Sequence, residues 1–115
     1  MISVRQLDPS TQDAVRRFMA LAQSPFSPRA VIVFGSRALG THRADSDADV
    51  ALLLAGAPAS FVATKLAMSD LAFDVLLETG INISPLPVWI EQWEHPGQYH
   101  TPALLHNIAR DGIWV

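Results

Sequence analysis

The sequence contains no cysteine, which excludes a disulfide framework and any metal site built on thiolates. It also has no apolar run approaching the ~18 residues that a membrane-spanning helix needs. Basic residues are few, and the formal net charge of −3 leaves no basic surface of the kind that binds nucleic acid. The N-terminus shows no basic segment followed by an apolar one. We therefore expect a cytoplasmic protein with no membrane partner and no clear nucleic-acid partner.

The chain does contain a large apolar fraction. Half of its 115 residues are hydrophobic and 17% are charged, which is typical of a compact globular domain rather than a disordered chain. That length suffices for one modest core, so residues 1–115 are predicted to form a single domain. The pattern predicts a helix, a strand, a short helix, a strand, a long helix, a strand, a helix and a terminal strand. This order indicates an α/β (α+β) fold, a small mixed β-sheet with flanking helices.

Capping residues mark the ends of the predicted helices. Asp8-Pro9-Ser10 predicts the start of the first helix, and Ser24-Pro25 with Pro28 predicts its end. The segment 60–79 predicts a long helix closed by Gly80. Four of its apolar residues are expected to face the sheet: Val62, Leu66, Phe73 and Leu76.

The long helix also carries an acidic stripe, Asp70, Asp74 and Glu78, spaced four residues apart. The stripe is either a solvated face or a docking surface for a basic partner. The segment 81–90 after this helix predicts a third strand. Because proline cannot donate to a ladder, Pro85 and Pro87 indicate an edge strand or one that leaves the sheet near Pro85.

The chemical signal is concentrated in the stretch from Ala30 to Leu54. Two short apolar runs, 30–34 and 50–54, are bounded by turn-forming residues and predict buried strands. Asp47 and Asp49 open the second run. Side chains alternate along a strand, so these two carboxylates are expected to point the same way, with Cα atoms about 6.5 Å apart.

Two like charges beside apolar surface repel each other and lose hydration unless a cation lies between them. Asp47 and Asp49 are therefore the candidate catalytic and metal-ligating residues. Oxygen ligands without Cys or His nearby suit Mg²⁺ (or Mn²⁺). Because Mg²⁺ is usually shared between carboxylates and substrate phosphates, ATP or another nucleoside triphosphate is the expected substrate.

Gly35 and Ser36 end the first strand and predict a phosphate site. A residue without a side chain lets a phosphate approach the backbone, and Ser36 is expected to cap a short helix that includes Arg37. We take Gly35, Ser36 and Arg37 as the candidate cofactor-binding residues. His42 and Arg43, in the loop that follows, either reach the nucleotide or are ordinary surface residues.

The pattern of GS, ten residues, then DxD resembles the signature of the DNA polymerase beta-like nucleotidyltransferase superfamily. GSRALG followed by SDAD resembles its minimal nucleotidyltransferase branch, and we extend the resemblance over residues 30–115. It implies an Mg-dependent transfer of a nucleoside monophosphate to a hydroxyl acceptor. The expected transfer is of AMP from ATP. Larger relatives close the cleft with a second helical domain, and minimal members are often paired with a small helical HEPN partner in toxin–antitoxin modules. The resemblance therefore implies an acceptor on such a partner.

One departure from the family pattern bears on catalysis. In many catalytic members the third strand supplies a third carboxylate, which helps to deprotonate the attacking hydroxyl, but INISPLPVWI contains none. Asn82 or Ser84 occupies the corresponding face, and Asp74 or Glu78 can substitute only if the end of the long helix folds over the site. Two hypotheses stay open: a nucleotidyltransferase, or a weak or inactive nucleotide-binding antitoxin module that neutralises a partner by contact.

Overall fold

The computed structural model describes residues 7–115. The helices within this range are α1 (Pro9–Phe26), α2 (Ser36–Leu39), α3 (Phe61–Thr79), α4 (Ile90–Glu94) and α5 (Pro102–Asp111), with a 3₁₀ turn at Pro96–Gln98. The strands are β1 (Ala30–Phe34), β2 (Ala48–Leu54), β3 (Ile83–Trp89) and β4 (Ile113–Trp114). The predicted order of elements is confirmed.

The four strands form one mixed sheet in the order β3-β2-β1-β4. β1 runs antiparallel to both β2 and β4, whereas β2 and β3 are parallel. Because Phe34 pairs with Asp49 in the antiparallel pair and Ala48 pairs with Ile83 in the parallel pair, the end of β1 and the starts of β2 and β3 lie at the same end of the sheet. The predicted α+β fold, a small mixed sheet flanked by helices, is confirmed.

Alternate residues of the strands build two apolar layers. Val33 and Val50 face α1 and α3, where they pack with Phe18 and Met68. Ile32 and Ala51 face the opposite side and pack against α5, whose inward residues include Ile108. Position 49 has the same parity as Ala51, so the Asp49 side chain lies on the α5 face of the sheet.

Helix α1 begins where the sequence predicts but extends further. The Asp8 carboxylate caps it by accepting from the Thr11 N–H at 3.2 Å. The helix continues through Pro25 to Phe26 and stops at Ser27, whose φ is +44°, so the predicted end is correct at Pro28 but too early at Ser24-Pro25. Proline blocks the bond to the residue four positions earlier, and near a helix end the loss of that one bond is tolerated.

The predicted inward face of α3 is wrong. Met68, Ala72 and Val75 are the buried residues of this helix. Of the four predicted residues, Leu76 is partly buried, whereas three are mostly exposed: Val62, Leu66 and Phe73. Apolar residues surround this helix on nearly every side, so periodicity does not distinguish the face that packs on the sheet.

β3 is an edge strand, as its prolines predict. It does not leave the sheet near Pro85, since its pairing with β2 continues from Ile83 to Trp89. The Ala48 N–H donates to the Asn82 carbonyl at 2.9 Å, which directs the amide positions of residues 84 and 86 toward β2. Pro85 and Pro87 thus have their nitrogens on the outer side, where no ladder bond is lost.

Within residues 7–115, no helix combines the length and the apolar character needed to cross a bilayer.

Candidate active site

The antiparallel pairing of β1 and β2 brings Gly35 against Asp49. Phe34, the last residue of β1, is the register partner of Asp49, so Gly35 follows directly beside the carboxylate. Gly35 has φ +72°, which side-chain-bearing residues rarely adopt, and a Cβ built on it would collide with the Asp49 carboxylate. Only glycine satisfies both conditions, so the turn and the carboxylate form one structural unit.

The two carboxylates interact electrostatically. Asp49 is partly buried and Asp47, just before β2, is exposed. Burial raises the pKa of Asp49 above its ordinary value of 3.8, and the nearby charge of Asp47 raises it further. Both effects penalise the ionised pair, and a cation between the carboxylates would remove the penalty.

Lys65 on α3 contributes to this site, and the sequence alone did not indicate it. Its charge lowers the pKa of Asp49 and so opposes the effects of burial and of Asp47. The ammonium group lies 5.9 Å from the centre of the Phe61 ring, in the range of a cation–π contact. Lys65 is sixteen positions beyond Asp49, so no short motif could have connected them.

Ser36 does not cap α2. Gly35 is the N-cap residue, and its carbonyl accepts from the N–H groups of Ala38 and Leu39, both at 3.1 Å. The predicted cap is therefore wrong, and Ser36 is the first residue of a single helical turn. The predicted short helix is present directly behind Gly35.

The Arg37 side chain does not lie in the predicted phosphate site. It is only 3% exposed, and its guanidinium donates to the Ser46 carbonyl at 2.9 and 3.0 Å and to the Ala44 carbonyl at 3.2 Å. It also donates to the Thr11 hydroxyl at 2.8 Å. The assignment of the Arg37 side chain to cofactor binding is corrected, because its donors are directed into the protein. Arg37 holds the loop that leads into Asp47.

The loop between α2 and β2 is attached to α1 at a second point. His42 Nε2 lies 3.2 Å from Asp8 Oδ1, and the Arg43 N–H donates to the Ser46 hydroxyl at 2.9 Å. The Ser46 N–H donates back to the Arg43 carbonyl at 3.1 Å, which makes a tight turn containing Asp45. Asp45 is exposed in this turn, as expected for a turn-forming residue outside the strand.

A cleft of about 380 Å³ adjoins Gly35 and Asp49. The opposite wall is formed by the face of α5 that carries Leu104, Asn107, Ile108, Arg110 and Asp111. Cavities of about 430 and 470 Å³ occur elsewhere, but neither is bordered by Gly35 or Asp49. Sequence reasoning missed α5 as a wall of the cleft, because its apolar stripe predicts burial without specifying the face of the sheet.

No third carboxylate joins the pair within the described residues. Ser84 is the register partner of Asp49 on β3, and both positions lie on the α5 face. Glu78 instead pairs with Arg17 of α1 at 2.7 Å, on the other side of the sheet. Across residues 7–115, no group of three or more His, Cys, Asp or Glu side chains could together hold a metal ion. Asp111 of α5 lines the same cleft as Asp49, but within residues 7–115 it does not complete a three-residue metal group.

The donor set nevertheless fits a single hard cation. Asp49 supplies carboxylate oxygens beside the turn at Gly35, and Asp47 is close enough for its charge to raise the pKa of Asp49. Mg²⁺ commonly takes one or two protein carboxylates and completes its shell with water and phosphate oxygens. Such an ion would be held by Asp47 and Asp49.

Comparisons with known proteins identify the family and the fold. The profile of the family "Polymerase beta, Nucleotidyltransferase" matches residues 19–84, more than half of the chain, including Gly35, Asp47 and Asp49. A search of the curated proteins finds no match. The crystal structure of a protein from Sulfolobus solfataricus assigned as a nucleotidyltransferase is similar, with a TM-score of 0.54 at 16% identity. That alignment covers 97% of this chain and 90% of the other, and at this identity it supports the fold alone. The family match shows that the chain belongs to the polymerase beta nucleotidyltransferase family.

Proposed function

We propose that this protein transfers a nucleoside monophosphate from a nucleoside triphosphate, AMP from ATP, to a hydroxyl group on a second protein. In this reaction the acceptor oxygen bonds to the α-phosphorus as the bond from that phosphorus to the β-phosphate oxygen breaks. The products are the modified acceptor, pyrophosphate and a proton. The single observation that carries the proposal is the contact of the Gly35 turn with the Asp49 carboxylate, in a chain of this family.

Each site residue has a distinct role in the proposal. The first N–H groups of a helix have no intrahelical acceptor, so those of Ser36 and Arg37 are placed to donate to the terminal phosphates. The Ser36 hydroxyl, which does not cap α2, is a further donor. Asp47 and Asp49 hold the divalent ion, which when bound supplies charge neutralisation at the phosphates. Arg37 positions Asp47 through the loop rather than contacting the nucleotide with its side chain.

The cleft beside Asp49 accommodates the rest of the nucleotide. Its volume of about 380 Å³ is at the lower end of the range of about 300 to 1,000 Å³ for small-molecule sites. Leu104 and Ile108 provide apolar wall, and Asn107 and Arg110 provide polar groups at its edge. We assign the ribose and base to this cleft. We propose adenine as the preferred base.

The acceptor approaches from the exposed side of the carboxylate pair, where Asp47 is accessible to solvent. The minimal branch that the motif resembles is often paired with a small helical HEPN protein, and we propose a partner of that kind. In this scheme the partner hydroxyl is the nucleophile, and the two proteins act as a toxin–antitoxin pair in the cytoplasm.

Calorimetry with Mg-ATP tests the nucleotide site. We expect the double variant Asp47→Asn/Asp49→Asn to lose measurable binding, because both carboxylates share the ion. Asp45→Asn is a matched control, since Asp45 is an exposed acidic residue of the adjacent turn. Unchanged affinity in the double variant would refute the site. Equal loss in the control would show that binding depends only on overall negative charge.

Incubation with ATP labelled at the α-phosphate, Mg²⁺ and the protein encoded beside this one tests the transfer. We expect label on that protein, with loss of labelling in Asp49→Asn and retention in Asp45→Asn. Digestion of the labelled product and mass spectrometry identify the modified side chain. Label at the γ-position must not be transferred, because the proposed reaction releases it as pyrophosphate.

The second candidate is a nucleotide-binding module that neutralises its partner by contact. The observation that favours it is Ser84, a neutral residue at the position that pairs with Asp49. Ser84 can neither act as a carboxylate base nor add charge to the metal site. In the labelling experiment this candidate predicts a stable complex that contains both proteins but carries no label.

A further inference from the structure

The most conspicuous surface feature outside the cleft is an apolar stripe along α3. It consists of Val62, Leu66, Phe73 and Leu77, whose side chains are between 57% and 70% exposed. Their spacings of four, seven and four residues place them on one side of the helix. From Val62 to Leu77 the stripe extends for about 22 Å at 1.5 Å per residue. We call this surface the α3 stripe.

The α3 stripe is distinct from the face that supports the fold. Met68, Ala72 and Val75 bury the other side of the helix against the sheet and α1. A soluble helix that packs on one side ordinarily presents polar residues on the opposite side. Here large aliphatic and aromatic side chains occupy that side, and contiguous apolar surface of this kind marks interaction sites.

Carboxylates border the α3 stripe along one edge. Asp70 follows Leu66 by four positions and precedes Phe73 by three, and Asp74 precedes Leu77 by three, so each adjoins the stripe. Neither forms an ion pair within the described range 7–115, and Asp74 interacts with the Arg17 guanidinium only at longer range. The other acidic residue of the row, Glu78, is held by Arg17 at 2.7 Å. Lys65, three positions after Val62, adjoins the opposite edge, so the surface combines an apolar centre with a negative margin on one side.

This charge pattern selects among possible occupants. Antiparallel pairing of two copies through the stripe would bring the two acidic margins toward each other, which is unfavourable. Anionic lipid headgroups would likewise repel Asp70 and Asp74. A helix with an apolar face and Lys or Arg beside it complements both parts of the surface, because its apolar residues cover the stripe and its cations pair with the carboxylates.

We propose that the α3 stripe docks an amphipathic helix of a second protein, apolar on one face and basic beside it. The inference rests on the proposed function only for the idea that the acceptor belongs to a separate protein. The docking requires neither nucleotide nor metal, so it can be tested without catalysis. It places the contact on α3, outside the cleft walls formed by β1, β2 and α5.

A synthetic helical peptide tests the proposal by fluorescence anisotropy. The probe carries leucines at helical spacing and lysines beside them, and a control peptide carries glutamate at each lysine position. We expect saturable binding of the lysine peptide that weakens with added salt, and no binding of the glutamate peptide. Absence of saturable binding by the lysine peptide would overturn the proposal.

Variants of the protein locate the binding surface. Leu66→Gln/Phe73→Gln should weaken peptide binding at least about tenfold, as expected for central apolar contacts. Asp70→Asn/Asp74→Asn should weaken it several-fold and reduce its salt dependence. Val115→Gln, at an exposed apolar residue outside α3, should bind as the wild type does. Unchanged binding in Leu66→Gln/Phe73→Gln would refute the stripe, and circular dichroism establishes that each variant is folded.

Two further measurements separate the remaining outcomes. Asp47→Asn/Asp49→Asn should bind the peptide normally, so failure of the nucleotide site and failure of the docking surface give different results. Light scattering after size exclusion shows whether the chain self-associates. A dimer that Leu66→Gln/Phe73→Gln converts to a monomer would assign the stripe to a second copy and overturn the proposal.

Discussion

Asp49 on β2 and Ser84 on β3 are register partners in the parallel half of the sheet, and both lie on the face covered by α5. A carboxylate at position 84 would therefore lie beside Asp49. The neutral Ser84 keeps the metal-free site from holding a third negative charge near Asp47 and Asp49. It also limits the negative charge available to bind cations.

Ser84→Asp should tighten Mg²⁺ binding by about tenfold, or ~1.4 kcal/mol, because it adds a third oxygen ligand of the right charge. The same substitution should lower the free energy of unfolding without metal, because three carboxylates then repel one another. Calorimetry and urea unfolding measure the two effects. Ser84→Asn is the neutral control and should change Mg²⁺ affinity little. If transfer also accelerates with Asp, the missing carboxylate limits the natural rate.

Gly35→Ala should abolish Mg-ATP binding. The substitution introduces a Cβ at φ +72° and directly against the Asp49 carboxylate, which must move. Gly80→Ala is the matched control, since Gly80 has φ +77° at the end of α3 and a Cβ added there would meet no atom within 4 Å. Gly80→Ala should lose ~1–2 kcal/mol of stability from its left-handed conformation. Gly35→Ala should lose ~1–3 kcal/mol, because the backbone of Gly35 (φ +72°, ψ −157°) lies in a region essentially restricted to glycine. Retained nucleotide binding in Gly35→Ala would contradict the placement of Asp49.

Arg37→Met should destabilise the fold by ~1–3 kcal/mol, because it leaves the Ser46 and Ala44 carbonyls without their buried donor. Mg-ATP affinity should fall as well, since the loop that leads into Asp47 loses its attachment. Arg43→Met is the control at an exposed position of the same loop and should change stability by less than about 0.5 kcal/mol. Urea unfolding and calorimetry measure both quantities. A phosphate-binding role for the Arg37 side chain would instead reduce affinity without loss of stability.

The raised pKa of Asp49 predicts how stability varies with pH. The folded state favours the protonated carboxyl of Asp49. Its contribution to the free energy of unfolding is fully present below the unfolded pKa of 3.8 and is lost as pH rises through the folded pKa. Asp49→Asn should therefore be more stable than the wild type at neutral pH, and the difference should shrink as pH falls through that window. Urea unfolding across the pH range, without divalent ions, measures it. A difference that does not vary with pH would contradict the burial of the Asp49 charge.

Lys65→Met should raise the pKa of Asp49 further, because it removes the one charge identified as lowering it. Methionine keeps an apolar stem against Phe61, so the packing is largely preserved. NMR titration of the Asp49 carboxyl detects the shift directly, and Lys65→Arg, which keeps the charge, should leave the pKa near its wild-type value. Mg²⁺ binding in Lys65→Met should weaken at mildly acidic pH, where protons compete for the carboxylate. An unmoved pKa would show that Lys65 has no influence on the site.

The elements could be predicted from the sequence where local rules agree. Asp8 and Ser60 accept from backbone N–H groups at the starts of α1 and α3, and Gly80 ends α3 in the left-handed conformation. The prolines of β3 indicated an edge strand correctly, because their lost donors must face outward. The orientation of α3 could not be predicted, since a helix that is apolar on both sides gives no periodic signal.

The site was predictable to the extent that its parts are close in sequence. Gly35 and Asp49 lie on either side of the single connection between the antiparallel strands β1 and β2. The sequence motif therefore already includes the two residues whose contact the structure shows. The electrostatic influence of Lys65 on Asp49 and the α5 wall of the cleft both depend on tertiary packing, which no spacing encodes. The role of the Arg37 side chain could not be predicted, because a guanidinium beside a phosphate-binding turn is equally suited to hold loop carbonyls, and only its burial decides between the two.

The outward-facing nitrogens of Pro85 and Pro87 affect how this protein can associate. An exposed edge normally offers a row of donors to which another chain can add a strand, and β3 has replaced two of those donors with proline rings. At the other edge, β4 is only two residues long. Within residues 7–115, both edges of the sheet thus disfavour the addition of another strand, which reduces the risk of strand-mediated aggregation.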